Sequence, residues 1–305
     1  IPKKNSYKCL NIGKYKLFLY NLNNEVKVFL NRCPHRGSKI FNQSFGNSPL
    51  KCPYHGWVFT PSKTFVPKID TFKKKPNPEN ARLESWNVKL VGDFIFIAKN
   101  PFFSLSKQLG EEVISFLELI GNSLNKCESI RNITYDSNWL IAVENALEPY
   151  HLTSIHPETL NDLKLDDGIN KIWDWASLWN APSNNKRLKN STKRLKNGIK
   201  TQFNIEGYWT LFLYPFVQIS STEGISYAIQ FFNPCENYTT DKTIMNTSLY
   251  SPHLKNNAIG KSLSSFYESV SELNYKVFKE DADICAQVPF NSWTFSPLKY
   301  SSSLE

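Results

Sequence analysis

The distribution of hydrophobic and polar positions divides the chain into two parts. In residues 1 to about 100, short runs rich in β-branched and aromatic residues are separated by turn signals, which is typical of β-strands. Runs 15–20 and 25–30 flank an Asn-Leu-Asn-Asn turn, and runs 88–91 and 94–97 flank a Gly-Asp turn, so each pair predicts a β-hairpin. We therefore expect a small all-β domain over residues 1–100.

Helical and strand patterns mix after Asn100-Pro101, which marks a domain boundary. The predicted elements are a helix over 104–124, a strand over 130–135, a helix beginning at Asp136 or Ser137, strands over 209–220, 226–232 and 243–249, and a long helix over 256–287. This order predicts an α+β domain over residues 101–305, in which helices flank an antiparallel sheet.

The composition is that of a globular protein with a large aromatic core. The chain has 305 residues, of which 41% are hydrophobic and 14% are aromatic. We expect no membrane span, since no apolar run reaches the roughly 18 residues that a membrane helix needs. The chain begins with Ile1 and enters strand-like sequence almost at once, so we expect the natural N-terminus to be missing.

The net charge of +9 is partly concentrated in two near copies of Lys-Arg-Leu-Lys-Asn, at 186–190 and 193–197. One interpretation of this segment is a solvated, mobile insertion. The other is a lid, or a docking surface for an acidic electron donor. Nucleic acid is not an expected partner, because no nucleic-acid-binding signature accompanies the charge.

Two short motifs place cysteine and histidine close together in the predicted β domain. Cys33-Pro-His35-Arg-Gly and Cys52-Pro-Tyr-His55-Gly-Trp each offer one thiolate and one imidazole. Zinc is one candidate, but zinc fingers usually keep a cysteine pair in one arm and a histidine pair in the other. A Rieske [2Fe–2S] centre has two cysteines on one iron and two histidines on the other, which two mixed loops can supply. The spacing therefore favours a two-iron cluster, with four unrelated buried residues as the alternative.

The other four of the six cysteines show no paired spacing. This pattern argues against a disulfide framework and favours a reducing compartment, which we expect to be the cytoplasm.

A second group of potential metal ligands follows the second predicted helix. His151, His156 and a carboxylate would make a non-haem Fe(II) site of the two-His, one-carboxylate type. On a regular helix these histidines would point about 140° apart, so the helix must distort or end, as Pro149 and Pro157 allow. Glu148 is better placed to hydrogen-bond the second nitrogen of a histidine than to bind metal. Two hydrogen-bonded histidines near a helix end, without metal, are the alternative.

The third ligand is expected on the long C-terminal helix. Helical phase puts Asp281 on the same face as Val277 and Phe278, and Asp283 on the same face as Lys279. An acid on an apolar face is unfavourable unless it is paired or bound to metal. We predict Asp281 as the ligand and Asp283 as a solvated residue. A partner for Asp281 in the N-terminal part of the chain is the alternative.

These motifs together resemble the terminal oxygenase (α) subunits of Rieske non-haem iron oxygenases. The resemblance is carried, in chain order, by Cys33-Pro-His35-Arg-Gly, Cys52-Pro-Tyr-His55-Gly-Trp, Asn138-Trp139, Glu144-Asn145, Glu148-x-x-His151, His156-Pro157 and Glu280-Asp281. It implies a Rieske β domain followed by a helix-grip catalytic domain.

The resemblance also implies the roles of individual residues. Cys33, His35, Cys52 and His55 would hold the cluster, and His151, His156 and Asp281 would hold the mononuclear iron. Glu148 and Asn145 would be catalytic residues. The family assembly would be a homotrimer, in which one subunit's cluster feeds the neighbour's iron across the acidic residue that is Glu148 here.

Two departures from the family pattern are informative. Most members have Asp where this chain has Glu148, and Glu at this short spacing from Asn145 resembles the branch that acts on quaternary ammonium compounds such as carnitine, choline or glycine betaine. The family normally has further helical segments before the first strand and after Glu305, so we expect both ends of the chain to be truncated.

The activity that the resemblance implies is O2-dependent hydroxylation or demethylation of a small organic substrate. Electrons would come from a ferredoxin or flavin reductase. The sequence contains no Gly-rich dinucleotide fingerprint, so NAD(P)H would act only indirectly. A quaternary amine is one candidate substrate, and an aromatic ring or aromatic acid is the alternative. Other classes are a Rieske electron carrier and a non-catalytic binding protein, against which the second ligand group argues.

Aromatic residues that follow the histidines could form a cage for a quaternary ammonium, or simply pack the core. They are Trp173, Trp175, Trp179, Tyr208, Trp209, Phe212 and Tyr214. The three tryptophans do not share one regular face, so only part of the group can point into a pocket.

Overall fold

The structure is a computed structural model that describes residues 3–60, 63–67, 81–200, 205–234, 241–255 and 260–289. The chain separates into two compact units, Ile1–Ser104 and Leu105–Glu305. The strands are β1 (Ser6–Ile12), β2 (Tyr15–Leu22), β3 (Glu25–Leu30), β4 (Phe45–Asn47), β5 (Val58–Phe59), β6 (Thr64–Phe65), β7 (Ser85–Val91), β8 (Phe94–Ala98), β9 (Leu124–Tyr135), β10 (Ile169–Trp173), β11 (Ala176–Ala181), β12 (Ile199–Lys200), β13 (Tyr208–Leu213), β14 (Val217–Thr222), β15 (Tyr227–Pro234) and β16 (Thr243–Leu254). The helices are α1 (Leu105–Leu109), α2 (Glu111–Ser123), α3 (Trp139–Leu147), α4 (Leu152–Ile155), α5 (Lys186–Gly198) and α6 (Gly260–Cys285), with a short 3-10 turn at Leu160–Leu163.

The first unit is built from an antiparallel sheet in the order β4-β1-β2-β3-β7-β8, with a separate β5–β6 pair. Both predicted hairpins are present, as β2–β3 and β7–β8. The β2–β3 turn is tight because Asn23 and Asn24 both adopt positive φ, which asparagine tolerates better than most residues. A core of buried aromatic side chains, including Phe18, Phe41 and Trp57, packs beneath the two cysteine-histidine loops.

The second unit is an eight-stranded antiparallel sheet in the order β10-β11-β13-β14-β15-β16-β12, with β9 also paired to β16. Helices α3 and α6 pack against this sheet through a core that includes Ile133, Phe212 and Ala282. The predicted α+β arrangement of helices flanking an antiparallel sheet is therefore confirmed. No helix in the described part of the chain is long and apolar enough to cross a membrane.

Two predicted elements are interrupted, and the cap of a third is a different residue from those expected. The helix expected over 104–124 is broken into α1 and α2, because Gly110 adopts a φ of 80° that no α-helix contains. The strand expected over 209–220 is instead the β13–β14 hairpin, whose turn contains Pro215, a residue without the N–H that a ladder needs. The second helix is capped by neither Asp136 nor Ser137.

The cap of that helix is Asn138, whose side-chain oxygen accepts the N–H of Leu140 at 3.0 Å. The long C-terminal helix is present as α6, and residues 256–259 of the prediction lie outside the described residues.

The basic segment forms the anchored helix α5, and β10 and β11 are further elements that the sequence pattern did not reveal. Asn185 caps α5 by accepting the N–H groups of Arg187 and Leu188 at 3.0 Å. Leu195 packs in the cluster formed by Leu263 and Tyr267 of α6. This contact holds the helix against the rest of the unit.

Candidate metal centres

Two loops with matching geometry carry the cysteine-histidine motifs. In each loop a glycine N–H donates to the cysteine carbonyl four residues earlier, Gly37 to Cys33 at 2.8 Å and Gly56 to Cys52 at 3.0 Å. The cysteine N–H in turn donates to the carbonyl five residues further on, at 2.8 Å in both loops. Both glycines adopt positive φ, of 74° and 68°, which explains why glycine follows each histidine. The two loops are therefore equal in length although the histidine spacing differs.

The four side chains of these loops converge. The thiol groups of Cys33 and Cys52 lie within hydrogen-bonding reach of each other, and the ring centroids of His35 and His55 are 4.6 Å apart. The Nδ1 atoms of both histidines are buried and have no hydrogen-bond partner among the described residues. Buried imidazole nitrogens without partners are unfavourable unless a ligand occupies them. Two inward-facing thiols and two such nitrogens fit the donor set of a Rieske cluster.

The electrostatics of the loops also fit metal binding. Burial lowers the pKa of His35, and the neighbouring His55 and Arg36 lower it further, so the imidazole stays neutral with a free lone pair. Burial raises the pKa of the Cys33 thiol, whereas the backbone N–H groups of His35 and Arg36 act in the opposite direction. Such N–H groups stabilise a metal-bound thiolate.

Asn31 braces the first loop and was not identified from the sequence. Its side chain accepts the N–H groups of Ile40 and Phe41, at 2.9 and 3.1 Å, and donates to the carbonyl of Phe41 at 2.8 Å. Only 7% of the residue is exposed. An asparagine just before a cysteine-histidine motif is a weak signal, because its partners lie nine and ten residues away.

The second group of ligands forms where regular helix stops. Helix α3 ends at Leu147, and His151 and His156 are the N-terminal and C-terminal caps of the one-turn helix α4. Because the helix is interrupted between them, the two histidines do not point about 140° apart as they would on a continuous helix. Their ring centroids lie 5.2 Å apart. The distortion expected around Pro149 and Pro157 is present.

Asp281 on α6 meets both histidines. Its Oδ1 lies 3.4 Å from Nε2 of His151 and 3.1 Å from Nε2 of His156. One ligand atom from each of the three residues falls within 4.8 Å of the others. Nε2 of His156 is buried and makes no hydrogen bond of suitable angle within the described part of the chain. Asp283, by contrast, has 75% of its side chain exposed.

Each histidine of this triad has its own carboxylate on the opposite nitrogen. Glu148 Oε1 lies 2.6 Å from Nδ1 of His151, and Glu280 Oε2 lies 2.7 Å from Nδ1 of His156. Thr159 also donates to Glu280 at 2.8 Å. These pairs place an N–H on Nδ1, so Nε2, which faces Asp281, is the nitrogen left to bind a metal, as is usual for a metal-bound histidine.

Glu280 lies by helical phase nearer to the face of the solvated Asp283 than to that of Asp281, and no role at the site was predicted for it. A helix position one residue before Asp281 points about 100° away from it. The long Glu280 side chain nevertheless reaches His156, which the short side chain of Asp283 does not. The only signal for Glu280 in the sequence was its place in the Glu280-Asp281 pair of the family pattern.

Asn145 completes the immediate surroundings of Asp281. Its Nδ2 donates to Asp281 Oδ1 at 2.9 Å, which fixes the carboxylate between the two histidines. Glu148 is fixed in the same way, since its Oε2 accepts the N–H of Tyr150 at 2.6 Å.

Three carboxylates, those of Asp281, Glu148 and Glu280, contact the two imidazoles of the triad. Burial lowers the pKa of His151, but Asp281 and Glu148 more than offset this and raise it to about 9. Burial raises the pKa of Asp281, and the two histidines outweigh this, so it ends below its ordinary value. Protons on the imidazoles balance the carboxylates, and a divalent cation would supply the same positive charge in their place. The donor set of two imidazoles and one carboxylate is the set that non-haem Fe(II) takes.

A cavity opens beside the triad in the second unit. Its lining includes the triad, Glu148 and Asn145, and on the sheet side Trp179, Tyr208, Thr210 and Gln218. Of the aromatic residues proposed from the sequence, Trp179 and Tyr208 lie at this cavity. Trp173 instead donates to Glu112 at 3.3 Å, and Trp175 is 42% exposed. The other three do not line the cavity within the described residues.

Comparison with known proteins agrees with both centres. Residues 1–79 match the family described as Rieske [2Fe-2S] domain. Residues 124–291 match the family described as ring hydroxylating alpha subunit (catalytic domain), which is 168 of the chain's 305 residues.

Curated relatives act on different substrates. The chain is 28% identical to the toluate 1,2-dioxygenase subunit alpha of Pseudomonas putida, over 51% of this chain and 37% of that one. It is 29% identical to the glycine betaine monooxygenase oxygenase subunit of Chromohalobacter salexigens, over 53% of this chain and 37% of that one. The matched region thus spans little more than a third of the length of these relatives.

Solved structures share the fold. A quaternary ammonium Rieske monooxygenase in complex with L-carnitine superimposes with a TM-score of 0.69 at 16% identity, over 94% of this chain and 74% of that one. Naphthalene 1,2-dioxygenase from Rhodococcus sp. gives a TM-score of 0.63 at 15% identity, over 95% of this chain and 78% of that one. The chain belongs to the family of ring-hydroxylating oxygenase alpha subunits and carries a Rieske [2Fe-2S] domain at its N-terminal end.

Proposed function

We propose that this protein is the terminal oxygenase component of a Rieske non-haem iron oxygenase. It takes electrons from a separate reductase and uses O2 to hydroxylate or demethylate a small organic substrate. The observation that carries the proposal is the triad of His151, His156 and Asp281, whose ligand atoms lie within 4.8 Å of one another at the edge of a cavity. A Rieske electron carrier has no use for such a site.

The proposed ligands divide between the two centres. Cys33, His35, Cys52 and His55 hold the [2Fe–2S] cluster, and His151, His156 and Asp281 hold Fe(II). When bound, the cluster supplies electrons one at a time and the Fe(II) supplies open positions at which O2 is activated.

The residues around the triad prepare it for this role. Glu148 and Glu280 keep the Nδ1 protons of His151 and His156 in place, so both Nε2 lone pairs face the metal position. Asn145 orients Asp281. His156 and Asp281 are buried, which limits access of bulk water to the site. Removing any of these contacts should therefore weaken metal binding rather than change which reaction occurs.

The overall reaction balances with two electrons and two protons. A substrate C–H, O2, two electrons and two protons give a C–OH and water. When the carbon is an N-methyl group, the hydroxymethyl product releases formaldehyde and leaves an amine with one methyl group fewer. The electron source is a ferredoxin or flavin reductase that oxidises NAD(P)H, because the sequence carries no dinucleotide fingerprint of its own.

The proposal extends to assembly and location. In a homotrimer, Glu148 would lie between the iron of one subunit and the cluster of the next, and 24% of its side chain is exposed. None of the five cysteines among the described residues is in a disulfide, which suits the cytoplasm.

The leading substrate class is a quaternary amine. Glu148 and the two aromatic residues at the cavity, Trp179 and Tyr208, support it. Oxygenation of an aromatic acid is the second candidate, and the similarity to the toluate dioxygenase subunit favours it.

Single-turnover oxygenation tests the proposal. The full-length protein is reduced under argon and mixed with O2 and a panel of quaternary amines and aromatic acids, and formaldehyde and hydroxylated products are quantified. We expect product from wild type and from Asp283→Ala, and none from Asp281→Ala. Iron-loaded protein that forms no product from any substrate would contradict an oxygenase.

A further inference from the structure

The cavity beside the triad has a marked charge bias. Its described lining contains two acids outside the histidines, Glu148 and Asp281, and no lysine or arginine. The neutral polar groups are supplied by residues such as Asn145, Thr210 and Gln218. The residues of the second unit outside the described part are 201–204, 235–240, 256–259 and 290–305, and their sequence contains one lysine, Lys299, and no arginine.

This bias conflicts with a carboxylate on the substrate. Toluate, halobenzoate, glycine betaine and carnitine, after which several relatives are named, all carry one. An ionised carboxylate that enters a buried site without a cationic partner loses its hydration without compensation, which is strongly unfavourable. Even a divalent metal would leave no surplus positive charge here, because Glu148 and Asp281 already offset its two charges.

The aromatic side of the cavity has the features that a cation prefers. Trp179 on β11 lies directly opposite Thr210 on β13 in the strand pairing, and Tyr208 is two positions along the same strand. The Trp179 and Tyr208 rings meet edge to face, with centroids 6.1 Å apart and an interplanar angle of 66°. Two rings at this angle form a corner whose faces carry partial negative charge.

The corner is held in place by close packing. A Cβ added to Gly168 would come within 2.0 Å of the Trp179 indole nitrogen, so only glycine allows the ring to sit where it does. Trp179 is 9% exposed, and burial raises the pKa of Tyr208 to about 12, so its ring remains uncharged.

We infer that the site accepts a small amine that is cationic but carries no carboxylate or other anionic group, with its onium head against Trp179 and Tyr208. This inference rests on the proposed function, since it specifies the substrate of the same site. It separates this chain from the carboxylate-bearing substrates of the relatives that it resembles.

Binding to the iron-loaded full-length protein, measured by calorimetry under argon, tests the inference independently of turnover. The probes are choline, glycine betaine and 3,3-dimethyl-1-butanol, which share a head of three methyl groups. Choline is a cation, glycine betaine adds a carboxylate, and the alcohol replaces the charged nitrogen by carbon. We expect choline to bind about tenfold more tightly than the neutral alcohol, the scale of a desolvated cation–π contact. Glycine betaine should bind at least tenfold more weakly than choline.

Two variants locate the recognition. Trp179→Leu should lose at least fivefold in choline affinity while the alcohol changes little, because the cation loses a π face. Trp175→Leu is the matched control, since that tryptophan is exposed and does not line the cavity, and it should bind choline as wild type does. The iron content and melting temperature of each variant are measured alongside. If Trp179→Leu fails to fold, Tyr208→Leu replaces it.

The outcomes are distinct. Glycine betaine or benzoate binding as tightly as choline would overturn the inference, as would equal behaviour of the two tryptophan variants or no binding of choline. Oxygenation of a carboxylate substrate would also overturn it while leaving the proposed oxygenase intact. Selective choline binding with no oxygenation of any substrate would support the inference on ligand class and contradict the proposed function.

Discussion

The two candidate metal centres are held in different ways. The cluster loops position their ligands mainly through backbone hydrogen bonds, with the same turn repeated around Cys33 and Cys52. The triad positions its ligands through side-chain carboxylates, with Glu148 on His151 and Glu280 on His156. The geometry of the first centre therefore depends on backbone conformation. That of the second depends on individual side chains, each of which can be removed by substitution.

Removing a ligand should have the largest effect, and a different one in each unit. We expect Cys52→Ala to lose the cluster and keep the mononuclear iron, because a Rieske cluster needs two thiolates and Cys52 supplies one of them. His156→Ala should lose one iron per chain and keep the cluster. Both should abolish turnover, since each centre is needed. Iron and acid-labile sulfide assays on purified protein check this.

His253→Ala is the matched control for these losses, because that histidine is exposed on β16. It should retain wild-type iron content. Loss of cluster sulfide in His156→Ala would break the claim that the two centres are independent.

Removing a carboxylate behind a histidine should come next. Glu280→Gln keeps the size of the side chain but weakens the hydrogen bond to Nδ1 of His156. Such changes typically weaken metal binding or activity by about 10–100-fold. The rate at which a chelator removes the mononuclear iron measures this, with Asp283→Asn as the control on the same helix. Identical rates in the two variants would show that Glu280 plays no part in the site.

Removing the brace on Asp281 should have a smaller effect. Asn145→Ala deletes one hydrogen bond to a charged oxygen, and such a bond contributes about 1.5–3 kcal/mol. We expect a loss at the low end of this range, a fall in kcat/KM of roughly 10-fold, because the two histidines also orient Asp281, with the cluster spectrum unchanged. A variant with wild-type kcat/KM would mean that Asp281 is oriented by its histidines alone.

Replacing Asn31, which braces the first cluster loop, should affect stability more than iron content. Asn31→Ala removes three buried hydrogen bonds and should lower the free energy of unfolding of the first unit by about 1–3 kcal/mol. Asn11→Ala on the exposed part of β1 should stay within about 0.5 kcal/mol of wild type. Differential scanning calorimetry with an iron assay separates the two effects. Iron loss without a stability change would contradict the comparison.

The sequence predicted the features that depend on local spacing. The mixed cysteine-histidine motifs, the hairpins and the two-domain order follow from residues within a few positions of one another. Helical phase distinguished Asp281 from Asp283, because it places Asp281 on the apolar face of the helix, where an unpaired acid is unfavourable.

Several contacts between distant residues were not predicted. The contact of Glu280 with His156 joins residues that are 124 positions apart, and no local pattern encodes it. Likewise, Trp179 lines the cavity because β11 pairs with β13, a pairing that the sequence does not reveal. The break at Gly110 depends on one backbone angle, which an apolar periodicity cannot show.

The most direct test of two separate iron centres is anomalous diffraction at the iron edge from crystals of the full-length protein. The account predicts two iron peaks between the loops of Cys33 and Cys52, and a third peak among His151, His156 and Asp281. A zinc signal at the loops, or no iron at the triad of fully loaded protein, would contradict it.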